Sequence, residues 1–178
     1  MNTSSFLYPD ITLRAPEPED IDFMFACEND TELWKSGINT GPYSRYQLKK
    51  YIAENQNDLY EDKQLRLMIE LQTKETVGII DLFSFSTRHL RAEIGIVISK
   101  NYRRKNIASA ALSLLETHCF ATLGLHQLYA YICKENIPCM QLFKKNGYNV
   151  SCILSDWYYI GAKYHDVCLV QKINPSIK

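Results

Sequence analysis

Apolar positions along the chain fall into two periods, and the switches between them mark out the elements. Ile11 to Arg14 reads as a short strand. In "APEPEDIDFMFACEND", Ile21, Met24 and Phe25 recur at helical spacing; Pro18 suits a first helical position, and Glu19 and Asp20 suit its first turn. Ser44 followed by Gln47 forms a capping-box pattern and predicts a second helix through about Leu59. The period then shortens. Leu65 to Leu71, Thr76 to Phe85 and Arg91 to Ser99 read as consecutive strands, with a polar turn at Thr73 to Glu75. The run after Glu93 is almost continuously apolar, which suggests a strand buried on both faces.

A helix is predicted from Ile107 to about Thr122, with Ile107, Ala111, Leu114, Leu115 and Cys119 on one face. Leu128 to Cys133 is the next strand. Asn136 can cap a short helix with Pro138 in its first turn, running to Lys145 and stopped by Asn146-Gly147. Two final strands flank a turn around Gly161-Ala162-Lys163. The order implies an α/β fold: a mixed central β-sheet flanked by about four helices.

Composition narrows the class. No low-complexity stretch or charge run divides the 178 residues, so one domain over 1–178 is expected. Net charge is zero, which argues against a dedicated nucleic-acid binder. Met1 to Asp10 lacks the basic-then-apolar pattern of a leader, and no apolar run is long enough to span a bilayer, so no membrane partner is expected. The six cysteines include no C-x-x-C pair, and the four histidines are dispersed, so no metal is expected. Reduced thiols fit a cytoplasmic protein.

One stretch carries candidate chemistry. In "ISKNYRRKNIASAALSLL", Arg103, Arg104 and Lys105 crowd just before a predicted helix start. That end of a helix already carries partial positive charge and unpaired N–H groups, so cations there are locally unfavourable. An anion would reverse the sign, since backbone N–H groups and the helix dipole converge on it. The small residues Ala108 and Ser109 permit close approach. The alternative is a solvated basic turn before an amphipathic helix.

Arg103-Arg104-Lys105-Asn106-Ile107-Ala108 resembles motif A of the GNAT superfamily of acyl-CoA-dependent N-acetyltransferases, Arg/Gln-x-x-Gly-x-Gly/Ala. Arg103 and Ala108 match. Asn106 replaces a glycine, and asparagine is among the non-glycine residues most tolerant of a left-handed backbone. "LRAPEPEDIDFMFACENDTELW", "RAEIGIVISKNYRRKNIASAAL", "KENIPCMQLFKKNGY" and "YYIGAKYHDVCLV" resemble, in order, blocks of the branch holding spermidine and ribosomal-protein acetyltransferases.

The resemblance implies a GNAT-like domain using acetyl-CoA as co-substrate and no metal. It places the coenzyme pyrophosphate on Arg103, Arg104, Lys105, Asn106, Ile107 and Ala108. Ile96, Val97 and Ile98 would pair their backbone with the pantetheine arm as with an added strand, and their N–H groups would hold the thioester carbonyl. Asn136 would bond the coenzyme, besides acting as a plain N-cap. The nucleophile must be a free amine, and an alkyl ammonium has a pKa of about 10.4, so a base is needed. Glu93 is the candidate; its alternative is an exposed strand-end glutamate beside Arg91.

Two features bear on catalysis and acceptor. Many family members place an acid tyrosine four residues before the glycine of the "KKNGY" block, to protonate the leaving thiolate. Here that position is Phe143, which cannot donate a proton. The run of Asp20, Asp30, Glu32, Glu54, Asp58, Glu61 and Asp62 suits an acidic wall for a polyamine such as spermidine, or else solvated helix faces; Trp34, Tyr43, Tyr46 and Tyr51 are candidates to shape that cleft. The expected partner is therefore a small-molecule primary amine, with a homo-oligomer by analogy. Two other readings stand beside it: acetylation of a protein N-terminal amine, and a coenzyme-A-binding module with weak catalysis.

Overall fold

The structure, a computed structural model, describes residues 9–34 and 41–176; Met1 to Tyr8, read above for a leader, and the Trp34 side chain lie outside the described residues. Seven strands form one sheet in the order β1-β2-β3-β4-β5-β7-β6. They are β1 (Ile11–Arg14), β2 (Leu65–Leu71), β3 (Thr76–Ser86), β4 (Arg91–Ile98), β5 (Gln127–Cys133), β6 (Asn149–Ile160) and β7 (Lys163–Ile173). Every neighbouring pair is antiparallel except β4 and β5, which makes the sheet mixed, as the pattern predicts.

Among the described residues the helices are α1 (Ile21–Glu28), α2 (Thr31–Trp34), α3 (Arg45–Glu54), α4 (Leu59–Asp62), α5 (Ile107–Thr117) and α6 (Ile137–Lys145). Four exceed one turn, which matches the expected number, and α2 and α4 are single turns. The Ser44 box forms as read: its hydroxyl accepts from Gln47 N at 3.1 Å, and Gln47 Oε1 accepts from Ser44 N at 2.8 Å. Such a cap stabilises a helix by about 1 kcal/mol. The helix it opens is shorter than expected, ending at Glu54 rather than Leu59. The cause is polar side chains that outbid the helix for backbone partners. Asn55 Oδ1 accepts from Asn57 N at 2.6 Å, Asn57 turns left-handed, and Asp58 caps the separate turn α4.

Period-2 alternation sends the strands' two faces to two cores. On one face Ile69, Ile80, Leu82, Ile94 and Leu128 pack with α5. On the other, Met68 and Ile79 pack with Met24 of α1 and Leu48 of α3. Helix α5 buries Ile107, Ala111, Leu112 and Leu115, then continues as a wider-wound turn over His118–Thr122. Leu114, expected on its buried face, is 44% exposed. Glu116 is buried in its place, because Lys172 of β7 reaches over to it at 2.5 Å. No helix among the described residues is long and apolar enough to cross a membrane.

Candidate active site

The basic loop folds into a left-handed turn before an uncapped helix start. Arg104 and Asn106 both adopt left-handed backbone, at φ 61 and φ 60, on either side of Lys105. The position where the family has glycine therefore needs the conformation glycine provides, and Asn106 supplies it. Asn106 is the N-cap of α5, yet its side chain does not cap the helix. Its Oδ1 instead accepts from Lys145 Nζ at 3.0 Å. The first amides of α5 are thus left without a side-chain acceptor, at the positive end of the helix dipole. Arg103 Nε donates to the Ile98 carbonyl at 3.0 Å and ties the loop back to the end of β4. Ala108 is half-buried and Ser109 buried, so no bulky side chain stands between the amides and a ligand. This arrangement fits a pyrophosphate.

The cleft beside this loop opens because two parallel strands part. β4 and β5 pair only at Arg91–Gln127, Ala92–Leu128 and Glu93–Tyr129. Beyond Glu93, β4 keeps only β3 as partner, with Ile96 against Ile80, Val97 against Ile79 and Ile98 against Gly78. The β5 side of that backbone faces a cleft of about 1410 Å³, lined by Ile96, Val97, Ile98, Asn106, Ala108 and Asn136 among others. An extended ligand arm can add there as a strand would. Asn136 sits across the opening as the N-cap of α6, its Oδ1 accepting from Cys139 N at 3.2 Å. The basic loop, the open edge of β4 and Asn136 therefore share one cleft.

Glu93 occupies the fork itself, at the last β4–β5 pair. Burial pushes its carboxyl up to about 7, and a hydrogen bond from the Ser84 hydroxyl holds it down only in part. The β3–β4 register breaks between Phe83 and Ser86, where Ser84 turns left-handed, so an irregular strand presents that hydroxyl. A carboxyl poised near neutral pH, half-buried in a cleft, has the properties of a general base. Gly95, two residues on, leaves room for the Phe83 ring: a Cβ there would meet Phe83 Cε1 at 3.0 Å.

Part of the cleft wall is acidic, but with a different membership from the one expected. Glu28, Glu32 and Asp81 line it together with Arg66 and Tyr51. Arg66 forks onto Asp81 with Nε–Oδ1 and Nη2–Oδ2 both at 2.9 Å, and reaches Glu28 at 2.5 Å. One guanidinium thus faces two carboxylates, and Glu32 adds a third acid to the wall; burial raises Asp81, and Arg66 beside it opposes that shift only in part. Of the acidic residues singled out in the sequence, Glu32 lines the cleft. Asp20 does not: it is buried against Arg14 at 2.6 Å and joins β1 to the start of α1. Asp30 pairs with Lys100 and Glu54 with Lys50, while Asp58 lies along a separate groove beneath α5. Of the aromatic candidates, Tyr43 and Tyr51 line the cleft, and Tyr46 is 75% exposed.

Phe143 does not line the cleft. It is 1% exposed, with its ring packed edge-on against Tyr148 at 4.9 Å. The tyrosines near Glu93 are others, namely Tyr158 of β6 and Tyr131 and Tyr129 of β5. Tyr131 and Tyr158 line the cleft. Burial, then the charge of Glu93, pushes Tyr158 up to about 12 and raises Tyr129 as well. Tyr131 also stacks on Trp157 at 6.2 Å. Of the tyrosines close to the Phe143 block, Tyr148 is buried behind Phe143, and Tyr159 and Tyr164 are exposed and pack on each other. Tyr131 and Tyr158 carry no local motif; the signal that could have found them is period-2 alternation in strands flanking the cleft.

A parallel pair that splits beside a basic loop and a helix start is the arrangement the GNAT resemblance implies for an acyl-coenzyme A transferase. Residues 10–149 match the model of the acetyltransferase (GNAT) domain, and the chain belongs to that family, whose co-substrate is acetyl-CoA. Among its relatives, the spermidine N(1)-acetyltransferase of Escherichia coli strain K12 is 25% identical over 164 residues, covering 90% of this chain and 86% of that protein. The fold is shared with the spermidine N-acetyltransferase of Vibrio cholerae solved with CoA and spermine, at TM-score 0.83 and 22% identity, over 92% of this chain and 95% of that one. A dodecameric structure of the Vibrio cholerae enzyme matches with TM-score 0.76 and 24% identity, over 92% and 94% of the two chains.

Proposed function

We propose that this protein moves the acetyl group of acetyl-CoA to a primary amine of a polyamine such as spermidine. The observation that carries the reading is the polarity of one cleft. Its lining brings together the basic loop and uncapped helix start, an acidic wall, and Glu93. A cationic amine is drawn to the acidic wall, where Glu28, Glu32 and Asp81 stand with the cation Arg66, and the relatives named for spermidine support that choice.

Arg103 to Ala108 hold the pyrophosphate, Ile96 to Ile98 hold the pantetheine arm and the thioester carbonyl, and Asn136 bonds the coenzyme from the facing helix. Acetyl-CoA supplies the activated acetyl carbon. Glu93 removes a proton from the bound ammonium, directly or through water, and the amine nitrogen attacks the thioester carbonyl. The N–C bond forms, the C–S bond breaks, and the departing thiolate takes the second nitrogen proton, directly or through water. A thiol of pKa about 8.5 is a good enough leaving group near neutral pH that no tyrosine at position 143 is required. The whole chain acts as one acetyltransferase domain. The described cysteines are all unpaired, which supports a cytoplasmic setting.

We also propose a homo-oligomer. The β6–β7 hairpin exposes Val150, Ile153, Trp157, Tyr159 and Tyr164, each more than half exposed, along a sheet edge. An apolar edge of that kind calls for a partner, and the dodecameric Vibrio cholerae relative supports self-association. Light scattering on the purified protein checks it, with a monomer contradicting the reading.

The substrate is tested by incubating the protein with acetyl-CoA and a panel of polyamines, amino acids, aminoglycosides and short peptides, with products read by mass spectrometry. Acetylated spermidine or spermine is the expected product. Acetylated peptide N-termini alone would replace the polyamine reading with an N-terminal one. Coenzyme binding without any product would point to a binding module.

A further inference from the structure

Cysteine and histidine are too dispersed along the chain to suggest a metal site, but the sheet brings two of them together. Cys133 ends β5, and His165 lies near the start of β7. Cys133 registers opposite Val167, and the Lys134 N–H donates to the Asp166 carbonyl at 3.0 Å, so the ladder continues past the end of β5. Alternation then sets Cys133, Glu135 and His165 on the same face. Glu135 Oε2 lies 2.8 Å from Cys133 Sγ and 3.5 Å from His165 Nδ1. One donor atom from each of the three lies within 4.8 Å of the others.

We propose that Cys133, Glu135 and His165 form a binding site for a borderline divalent cation of the zinc class. The donor set is the first argument. Thiolate, carboxylate and imidazole are the three ligand types zinc prefers, at about 2.3 Å for sulfur and about 2.0–2.2 Å for nitrogen and oxygen. A tetrahedral ion with those bonds sets its ligands roughly 3.3–3.7 Å apart. The His165–Glu135 separation already has that value. The Cys133–Glu135 contact is shorter because the thiol now donates to the carboxylate; losing that proton to the metal lets the pair open to tetrahedral spacing. Thiolate and imidazole together disfavour magnesium and calcium, which take oxygen ligands.

Access is the second argument. Glu135 is exposed and Cys133 and His165 are half-buried, so an ion reaches the site with solvent left in its fourth position. The ion has no part in acetyl transfer, which Glu93 and the coenzyme account for without it. Its position still gives it a hold on the cleft. Glu135 precedes Asn136, and His165 pairs across the hairpin with Tyr158; both neighbours line the cleft. A bound ion would tie the β5–α6 turn to the β6–β7 hairpin. None of this depends on which amine is acetylated.

The test is a titration of the reduced, metal-free protein with Co²⁺, followed by displacement with Zn²⁺. The expected result is one equivalent of Co²⁺ with a thiolate-to-cobalt charge-transfer band, which Zn²⁺ abolishes. Cys133→Ser should remove the band, and Glu135→Gln and His165→Gln should each weaken binding about tenfold or more, since even partners outside the ligand set cost that much. Cys152→Ser, at an exposed cysteine elsewhere, should change nothing. Circular dichroism of each variant checks that the fold is kept. A titration without the band, or a band that survives Cys133→Ser, overturns the proposal.

Discussion

The two parts of the cleft are built in different ways. The proposed coenzyme part is mostly one continuous piece of chain, β4, a loop and the start of α5, with Asn136 of α6 facing it. Its geometry follows from local rules, namely strand edge, left-handed residues and an uncapped helix. The acceptor part is assembled from α1, α2, α3, β2, β3, β5 and the β6–β7 hairpin. Its key group, Arg66 between Asp81 and Glu28, joins β2, β3 and α1. A local device is set by its own sequence, whereas an assembled wall depends on the packing of the whole fold. Changes at the first part should alter coenzyme binding with little cost in stability. Changes at the second should cost stability as well.

Glu93 lies at the fork where β4 and β5 part, and its replacement should have the largest effect. Glu93→Gln should lower kcat/KM for the amine about 10²–10⁴-fold at neutral pH, with acetyl-CoA affinity nearly unchanged by calorimetry. A parallel loss of coenzyme binding would mean that the residue is structural. Arg66→Met comes next. It strands Asp81 and Glu28 without their cation and should destabilise the protein by about 3 kcal/mol in a denaturant titration. An unchanged midpoint would remove the contrast between the two parts.

Asn106 tests the local part. Asn106→Val forces a β-branched residue to φ 60, which costs about 1–3 kcal/mol where the fold holds it there. Most of that should appear as weaker coenzyme binding, whereas Asn106→Gly should bind at least as tightly as the parent. Equal affinities for the two variants would show that the left-handed turn is irrelevant. The smallest effect is expected at Phe143. Because the ring is buried away from the cleft, Phe143→Tyr should not raise turnover. It should cost about 1–3 kcal/mol if the new hydroxyl finds no partner. A clear gain in turnover would place that hydroxyl on the thiolate after all.

The same contrast explains what could be read in advance. The strands and the longer helices were legible because burial imposes period 2 or period 3.6 on neighbouring residues. The basic loop and its helix start were legible because the cations, small residues and helix signal are adjacent in the chain. Of the acidic wall, only Glu32 was. Asp81 sits in an apolar strand with no local mark, and only the β2–β3 register brings Arg66 to it. Asp20 had the right charge in the right region, yet packing spends it on Arg14. Tyr131 and Tyr158 reach the cleft only because β4 and β5 part where they do. The early end of α3 shows the limit of periodicity, since Asn55, Asn57 and Asp58 bond to the backbone themselves.

The account rests on Glu93 as a base poised near neutrality at the fork. The most direct test is the pH dependence of kcat/KM for spermidine, in the parent protein and in Glu93→Gln. A base must be unprotonated to act, so the parent should lose activity as pH falls through about 7, the value to which burial raises Glu93. The variant should lack that inflection and keep only the rise at higher pH that comes from the amine's own deprotonation. The same inflection near 7 in both proteins would contradict the account and assign the titrating group elsewhere.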